Sequence, residues 1–401
     1  MSAEFDVRPV EEGDDFEQYF DVRSQSFGVP RSDHDSWMEL IEATPEVATF
    51  GAYGGSRLLG ALRVIPAGQY VHGRSVPMGG IAGVVVRPEA RGIGVARTLL
   101  DEAITWMRDS GIVVSSLHPA STRAYRSAGW EIAGRAGWLR TPTRSFGSIR
   151  GDAAGTLEPL DPTGSPEVRA CYAAYAPSVP AAVDRSEPFW VLHARGGRED
   201  GAFLYGIRTD GVLTGYIAYT QSSEPKSWHY DLRVDDVVAH DRASAIALWR
   251  FIGGHSMQVE EVQLPLHALP EVSLLLDEQD ASVHLENHWM HRIVDVPGAV
   301  AARGFPVGVA GSVTVLVTDP LAPGTASGWR ISVDDGTGTA TPADEGGVDV
   351  TLDIGALSSL AIGGSTTASL RNAGRLTGDD AAVARLGGLF QTPTPVITDE
   401  F

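Results

Sequence analysis

The residues best suited to bind a charged ligand lie in a short turn that follows an apolar run. The run at positions 84–86 is Val-Val-Val, which is typical of a buried strand, and the residues from 95 onward repeat with the period of a helix. The turn between them contains Arg91-x-x-Gly94-x-Ala96. A helix N-terminus offers unpaired N–H groups and a positive dipole end, and small residues let a ligand approach the backbone closely. The pattern predicts a phosphate-binding turn, with an ordinary glycine-containing strand–helix turn as the alternative.

The elements that must position this turn follow from the patterns on either side of it. The segment matches neither Gly-x-x-x-x-Gly-Lys-Ser/Thr nor Gly-x-Gly-x-x-Gly, which excludes the two common nucleotide loops. Apolar periodicity and turn residues predict strands at 5–10, 47–53, 58–65, 84–86 and 112–117, and helices at 14–27, 36–44, 95–109 and 122–128. This mixed order of strands and helices predicts an α/β (α+β) fold.

Composition and charge restrict the class of protein and of ligand. With 401 residues, of which 43% are hydrophobic, the chain is long enough for two or three globular domains. The formal net charge of −20 would repel nucleic acid and attract a cationic substrate, although acidity can also serve solubility alone. A single cysteine, Cys171, excludes an internal disulfide and a cysteine-based zinc site, and no metal is expected. No secretory signal and no apolar run of membrane-spanning length is present, so we expect a cytoplasmic protein that does not associate with membranes.

Two further segments follow the first, which spans 1–150. In the second, 151–297, residues 237–249 repeat the strand, turn and helix pattern of 85–97, but Ala243-Ser244-Ala245 replaces the loop glycines. Side chains there would obstruct a pyrophosphate, so we expect a related domain without a ligand loop; chance similarity is the alternative. The third segment, 298–401, is rich in Gly, Ala, Thr and Asp and contains alternating strands at 313–319 and 348–354.

The turn at 91–96 resembles the pyrophosphate loop Arg/Gln-x-x-Gly-x-Gly/Ala of the GNAT acetyltransferases, which bind acetyl-coenzyme A. The valine strand that precedes it, and Pro88 at the end of that strand, add to the resemblance. The resemblance implies two GNAT-like domains in tandem, with the acetyl-CoA site in the first and a strand at 84–86 that splays from its neighbour. The acetyl-CoA contacts that it implies are Val84, Val85, Val86, Arg91, Gly92, Ile93, Gly94, Val95, Ala96, Arg97, Ala120 and Ser121. A solvated loop charge remains the alternative for Arg91.

Tyr125 is the candidate proton donor. The sequence Tyr125-x-x-x-Gly129-Trp130 resembles the GNAT pattern Tyr-x-x-x-Gly-Phe/Tyr/Trp, which implies a hydroxyl within reach of the coenzyme sulfur. A tyrosine with an ordinary pKa of about 10 is protonated at neutral pH and can act as the general acid toward a thiolate. The alternative is a core tyrosine without a role in proton transfer. His118, in the loop before this helix, would support the substrate or Tyr125, or serve the loop structure alone.

Motifs in the third segment extend the resemblance to the enhanced intracellular survival (Eis) family of acetyltransferases. Asp319-Pro320-Leu-Ala-Pro and Gly328-Trp329-Arg330-Ile331 resemble its sterol-carrier-protein-like domain, and the chain ends in phenylalanine as members of that family do. In that family the terminal carboxylate removes the amine proton through water, which implies Phe401 as the general base; a disordered tail is the alternative. The same resemblance implies a homohexamer and, as substrate contacts, Trp37 and Glu400, which join His118 as candidates; Trp37 could instead belong to the core face of a helix.

Three functions are therefore open. The first is an acetyl-CoA-dependent N-acetyltransferase that transfers its acetyl group directly to a cationic polyamine such as an aminoglycoside. The second uses the same residues to acetylate lysine side chains of proteins or peptides. The third, from another class, is a non-catalytic lipid carrier or CoA-sensing scaffold, in which the third domain would hold a lipid; a packed structural module is the alternative for that domain.

Overall fold

The computed structural model describes residues 5–10, 13–162, 164–199, 201–221, 228–321, 324 and 326–401, with the backbone alone for Asp14, Glu345 and 194–199. The strands of the first segment are β1 Asp6–Pro9, β2 Ala48–Gly54, β3 Arg57–Val71, β4 Arg74–Val86, β5 Val114–Leu117 and β6 Glu131–Pro142. Its helices are α1 Asp14–Phe27, α2 His34–Glu42, α3 Val95–Asp109 and α4 Thr122–Arg126.

The second segment contains the next seven strands and four helices among its described residues. The strands are β7 Thr156–Leu160, β8 Val183–Asp184, β9 Phe203–Thr209, β10 Val212–Gln221, β11 Leu232–Ala239, β12 Glu261–Pro265 and β13 Ser282–Ile293. The helices are α5 Pro166–Tyr175, α6 Glu187–Glu199, α7 Arg242–Gly253 and α8 Leu269–Leu275. The predicted repeat at 237–249 is therefore a strand followed by a helix, β11 and α7.

Helix α3 begins and ends at the predicted residues, and every apolar residue of its predicted core face is buried. One face of the helix is buried against the sheet of the first domain, and the residues on that face are Val95, Leu99, Leu100, Ala103, Ile104 and Met107. The helix thus covers β2, β3 and β4 and presents its N-terminus beyond the end of β4. Helix α1 also keeps its predicted bounds, whereas α2 begins two residues earlier than the pattern predicted.

Thirteen of the described strands form one sheet that runs through the first two domains. The order is β1-β2-β3-β4-β5-β13-β6-β12-β11-β10-β9-β7, and β8 pairs with β3. Strand β13, the last of the second segment, lies antiparallel between β5 and β6, for example with Met290 opposite Leu117 and Trp289 opposite Gly134. The second domain therefore completes the sheet of the first, so the two segments are separate in sequence but share a sheet.

The third segment forms its own five-stranded sheet and four helices in the part that the structure describes. Its described strands are β14 Gly311–Thr318, β15 Ala326–Asp334, β16 Thr337–Pro342, β17 Val350–Asp353 and β18 Leu376–Gly378, in the order β16-β15-β14-β17-β18. Its helices are α9 Val296–Ala302, α10 Ile354–Ile362, α11 Thr367–Asn372 and α12 Asp380–Leu389. All of α10 is buried because it lies between this sheet and β13, where Ser358 Oγ accepts the Ile293 N–H at 2.8 Å. Ala322 and Pro323 of the predicted motif lie outside the described residues.

Candidate active site

Strands β4 and β5 separate at the centre of the first domain. Their parallel pairing ends with Ile81 opposite Leu117, and β4 continues to Val86 with β3 as its one partner in the described part of the chain. A bulge at Gly83 bends β4 where the separation begins, and the Tyr19 hydroxyl donates to the Gly83 carbonyl at 2.8 Å. Gly83 has a φ of +59°, and a Cβ there would lie 2.4 Å from the tyrosine oxygen. The backbone of 82–86 thus faces an opening, as the resemblance implied.

The turn after β4 leaves the N-terminus of α3 open. Gly94 is the N-cap residue and provides no side-chain acceptor, so side chains do not pair the first N–H groups of the helix. Gly92 and Gly94 have φ angles of +81° and +103°, which L side chains rarely adopt, and a Cβ on either would meet nothing within 4 Å. Open space before unpaired amides at the positive end of a helix fits a pyrophosphate. Gly92, Gly94 and the first N–H groups of α3 therefore fit the diphosphate of coenzyme A.

The equivalent helix of the second domain is closed to such a ligand. Asp241 is the N-cap of α7, and its Oδ1 accepts the Ser244 N–H at 2.8 Å. This carboxylate pairs one of the N–H groups and places a negative charge where a phosphate would bind. The Asp241 carboxylate is thus a second obstacle to a pyrophosphate, in addition to the side chains of Ala243, Ser244 and Ala245.

Two arginines of the predicted loop have different surroundings. Arg91 is exposed beside the turn, with its Nε 3.4 Å from the Val86 carbonyl, so it can turn toward a phosphate. Arg97 instead donates to Asp101 Oδ1 at 2.7 Å, the Ser127 carbonyl at 2.7 Å and the Pro320 carbonyl at 2.8 Å. The guanidinium of Arg97 thus joins the first domain to the third. Its backbone N–H remains in the open first turn of α3, where the predicted contact of the loop with acetyl-CoA can still form.

The remaining predicted cofactor contacts differ in their exposure. Val84 and Val86 are half-buried, whereas the Val85 side chain is buried toward α1 and can offer only its backbone. Ala120 and Ser121 are exposed just before α4.

Tyr125 lies on α4, in the core that includes the ends of both separated strands. Its ring is 8% exposed and packs edge-on against Trp130, with ring centroids 6.4 Å apart. Ile81 and Leu117 belong to the same buried cluster. Burial raises the pKa of Tyr125 to about 12, so the hydroxyl remains protonated throughout the neutral range.

The C-terminal phenylalanine lies against the other face of β4. The Phe401 ring packs edge-on against His118 and Phe189, with centroid distances of 5.5 and 5.2 Å. Gly80 makes room for it, because a Cβ there would lie 2.9 Å from the Phe401 ring. The tail is therefore held in the structure, and Tyr125 and Phe401 lie on opposite sides of the place where β4 and β5 separate.

Contacts of the last residues with both GNAT-like domains fix the path of the tail. The His118 Nε2–H donates to the Asp399 carbonyl at 3.3 Å, and Arg185 Nε donates to Asp399 Oδ1 at 2.8 Å. Burial lowers the pKa of His118, although the charge of Glu400 opposes this effect, so the imidazole is neutral at pH 7. Sequence reasoning missed Arg185 and Asp399, because 214 positions separate them and neither belongs to a local motif.

A cavity of about 370 Å³ extends from this point into the second domain. His118 and residues 396–400 belong to its lining, and residues of the second domain form much of the remainder. The walls combine aromatic side chains, including Trp138, Trp190 and Phe203, with Arg233 and Asp235. A large acceptor molecule could therefore reach the tail from the second domain.

Trp37 does not belong to this arrangement. Its ring is 6% exposed and packs against Phe16, Tyr19 and Phe20, and Arg23 lies 5.9 Å from its centroid. We therefore correct the expectation of a substrate contact: Trp37 forms the core between α1 and α2. Glu400 and His118, in contrast, both line the cavity.

Comparisons with known proteins agree with this geometry. Residues 6–133 and 181–293 each match a family described as an acetyltransferase (GNAT) domain, and residues 296–398 match the sterol carrier protein domain. A GCN5-related N-acetyltransferase from Kribbella flavida is 30% identical, with 99% of each chain covered and a TM-score of 0.84. The chain belongs to the GCN5-related N-acetyltransferases. Membership of this family implies the use of acetyl-CoA and an amine acceptor.

Two other GCN5-related N-acetyltransferase structures resemble the whole chain. One from Anabaena variabilis is 28% identical, with a TM-score of 0.91 over 99% of this chain and 100% of that one. Eis1 from Mycobacterium abscessus is 26% identical, with a TM-score of 0.79 and the same coverage. These similarities confirm the predicted fold class of two GNAT domains followed by a sterol-carrier-like domain. In the described part of the chain, no helix has the length and apolar character needed to cross a membrane, and no cluster of three or more His, Cys, Asp or Glu residues is placed to hold a metal.

Replacing Gly94 with alanine tests the acetyl-CoA loop. We expect the affinity for coenzyme A to fall by about tenfold or more, equivalent to about 1.4 kcal/mol, because the methyl group would occupy the open space before α3. Gly111, at the other end of α3, is a matched control: its φ is +74° and its Cβ would also meet nothing within 4 Å. Both alanine variants should lose about 1 kcal/mol of stability, but calorimetry should show weaker coenzyme binding for Gly94→Ala alone. Equal affinities would contradict the assignment of the loop.

Proposed function

We propose that this N-acetyltransferase transfers the acetyl group of acetyl-CoA directly to an amine bound in the cavity, with Tyr125 as general acid and the Phe401 carboxylate as general base. The observation that supports this most strongly is the placement of the C-terminal ring at Gly80, across β4 from the core that contains Tyr125. An acid and a base on opposite sides suit a reaction in which the amine enters from one side and the thiolate leaves on the other.

Each residue would have a defined task. The amides at the start of α3 would hold the diphosphate, and the free edge of β4 would orient the pantetheine and the thioester. As the amine nitrogen bonds to the thioester carbon, its proton would pass through water to the Phe401 carboxylate. The C–S bond then breaks, and the Tyr125 hydroxyl gives its proton to the leaving sulfur. The products are an N-acetylated amine and coenzyme A.

The surroundings of the tail favour a cationic acceptor. The overall charge of −20 attracts cations, and Asp399 and Glu400, the two residues before the C-terminus, line the cavity beside His118. An aminoglycoside-like polyamine is the acceptor class that we propose, and with it membership of the Eis family and assembly into a homohexamer. The structural similarity to Eis1 supports this proposal.

A lysine side chain on a peptide is the second candidate acceptor. The cavity walls that carry Trp138, Phe203 and Leu204 suit an acceptor with apolar groups, and the charge of Arg233 is balanced by its pair with Asp235. The apolar walls therefore support a peptide that carries a lysine as the second candidate.

Acetyl transfer to a panel of amines decides between the candidates. We expect acetylation of kanamycin-type aminoglycosides, detected by mass spectrometry with radiolabelled acetyl-CoA as a second readout. Transfer to lysine peptides alone would favour the second candidate. Coenzyme binding without transfer to any amine would contradict both candidates and favour a CoA-sensing scaffold or lipid carrier.

A further inference from the structure

The C-terminal tail is bound by a charged group that lies in the second domain. Arg185 follows β8, and its side chain is 1% exposed. Its Nε donates to Asp399 Oδ1 and its Nη1 to Asp236 Oδ2 on β11, both at 2.8 Å. One buried guanidinium thus links the tail to a buried carboxylate of the second domain.

The second domain holds this guanidinium from several sides. The Tyr216 hydroxyl donates to Asp236 Oδ2 at 2.7 Å, and the Arg185 Cζ lies 3.9 Å from the centre of the Tyr172 ring. Burial alone would raise the pKa of Asp236, but Arg185 outweighs it and holds that pKa well below its usual range. Asp236 therefore remains ionised at neutral pH and is the partner of Arg185 within the second domain.

Asp399 is held at its backbone as well as at its carboxylate. His118 binds its carbonyl, and the Thr398 hydroxyl donates to Asp399 Oδ2 at 2.8 Å. Upstream, the Val396 N–H donates to the Pro180 carbonyl at 2.9 Å. The residue two positions before the C-terminus is thus fixed between the first and second domains.

We propose that Arg185 is a positioning residue that fixes the C-terminal carboxylate through Asp399. This inference rests on the proposed function, in which that carboxylate accepts the amine proton. The N-terminus of helix α7 in the second domain is blocked by the Asp241 side chain. In this proposal the second domain instead contributes to catalysis by holding the base that acts in the first domain. Buried ion pairs contribute little net stability. A role in fixing one conformation of the C-terminal tail therefore accounts better for the Arg185–Asp399 pair than a role in stabilising the fold.

The sharpest test replaces Asp399 with asparagine. The amide has the same shape, and Arg185 keeps Asp236 as a counter-ion, so the fold has no new unpaired charge. We expect kcat to fall at least tenfold with the KM for acetyl-CoA unchanged, because the loop at α3 is not altered. We also expect carboxypeptidase to release Phe401 faster than from the unaltered chain. Asp380→Asn, which removes a 93% exposed carboxylate from its pair with Arg371, is the matched control and should change neither quantity.

A second pair of measurements separates this inference from the proposed function. In a chain whose C-terminus is a carboxamide, Asp399→Asn should cause no further loss of kcat. If the carboxamide chain has lost activity while Asp399→Asn changes neither kcat nor Phe401 release, the positioning role is refuted and the base remains. If the carboxamide chain is fully active, the base is refuted and the positioning role with it.

Discussion

Replacing Tyr125 with phenylalanine should lower kcat by about 100-fold or more, the usual contribution of a general acid, and leave the affinity for coenzyme A unchanged. The ring would keep its place against Trp130, so only the proton donor is lost. Because burial raises the pKa of Tyr125 to about 12, the hydroxyl stays protonated well above neutral pH. The activity of the unaltered chain should therefore show no loss from tyrosine ionisation below about pH 11. Steady-state kinetics and calorimetry check both expectations.

Tyr205→Phe is a suitable control for this variant. Tyr205 is a half-buried tyrosine in the second domain, packed against Phe251 with ring centroids 4.6 Å apart. The variant removes the same oxygen from a tyrosine that does not line the cavity, so kcat should not change. Equal losses of kcat and coenzyme affinity in Tyr125→Phe would show that the hydroxyl serves binding and would contradict its role as acid.

Converting the C-terminal carboxylate of Phe401 to a carboxamide should have an effect of similar size, about 100-fold on kcat. The carboxamide keeps the ring between His118 and Phe189 and removes the group that accepts the proton. Peptide ligation provides the modified chain, and a ligated chain with the free carboxylate is the control. One glycine added after Phe401 should cause a similar loss, because it moves the carboxylate away from the ring. Full turnover by the carboxamide form would remove Phe401 as the base.

Local sequence patterns predicted the part of the site that depends on local geometry. The loop at 91–96 and the bounds of α3 follow from backbone conformation and one apolar stripe, and the structure agrees with both. Strand β3 is an intermediate case: it was predicted to end at residue 65 but continues to Val71. Its final residues do not alternate in polarity and become a strand through pairing with β4 and β8.

Long-range contacts account for what the sequence did not reveal. Arg185 lies in no recognisable motif and gains its partners only when β8, β11 and the tail meet. Trp37 is a related case, because a tryptophan on an amphipathic helix is compatible with either a core or a substrate contact. Its neighbours Tyr19 and Phe20 decide for the core.

The insertion of β13 between β5 and β6 has a consequence for synthesis on the ribosome. Leu117 gains its partner Met290 only after nearly three quarters of the chain has been translated. At synthesis rates of about 5–20 residues per second, the edge of β5 therefore waits on the order of ten seconds for that partner. The first domain therefore cannot complete its sheet before β13 has been synthesised. In a nascent chain that stalls before β13, the unpaired edge of β5 would be exposed to aggregation or to chaperones.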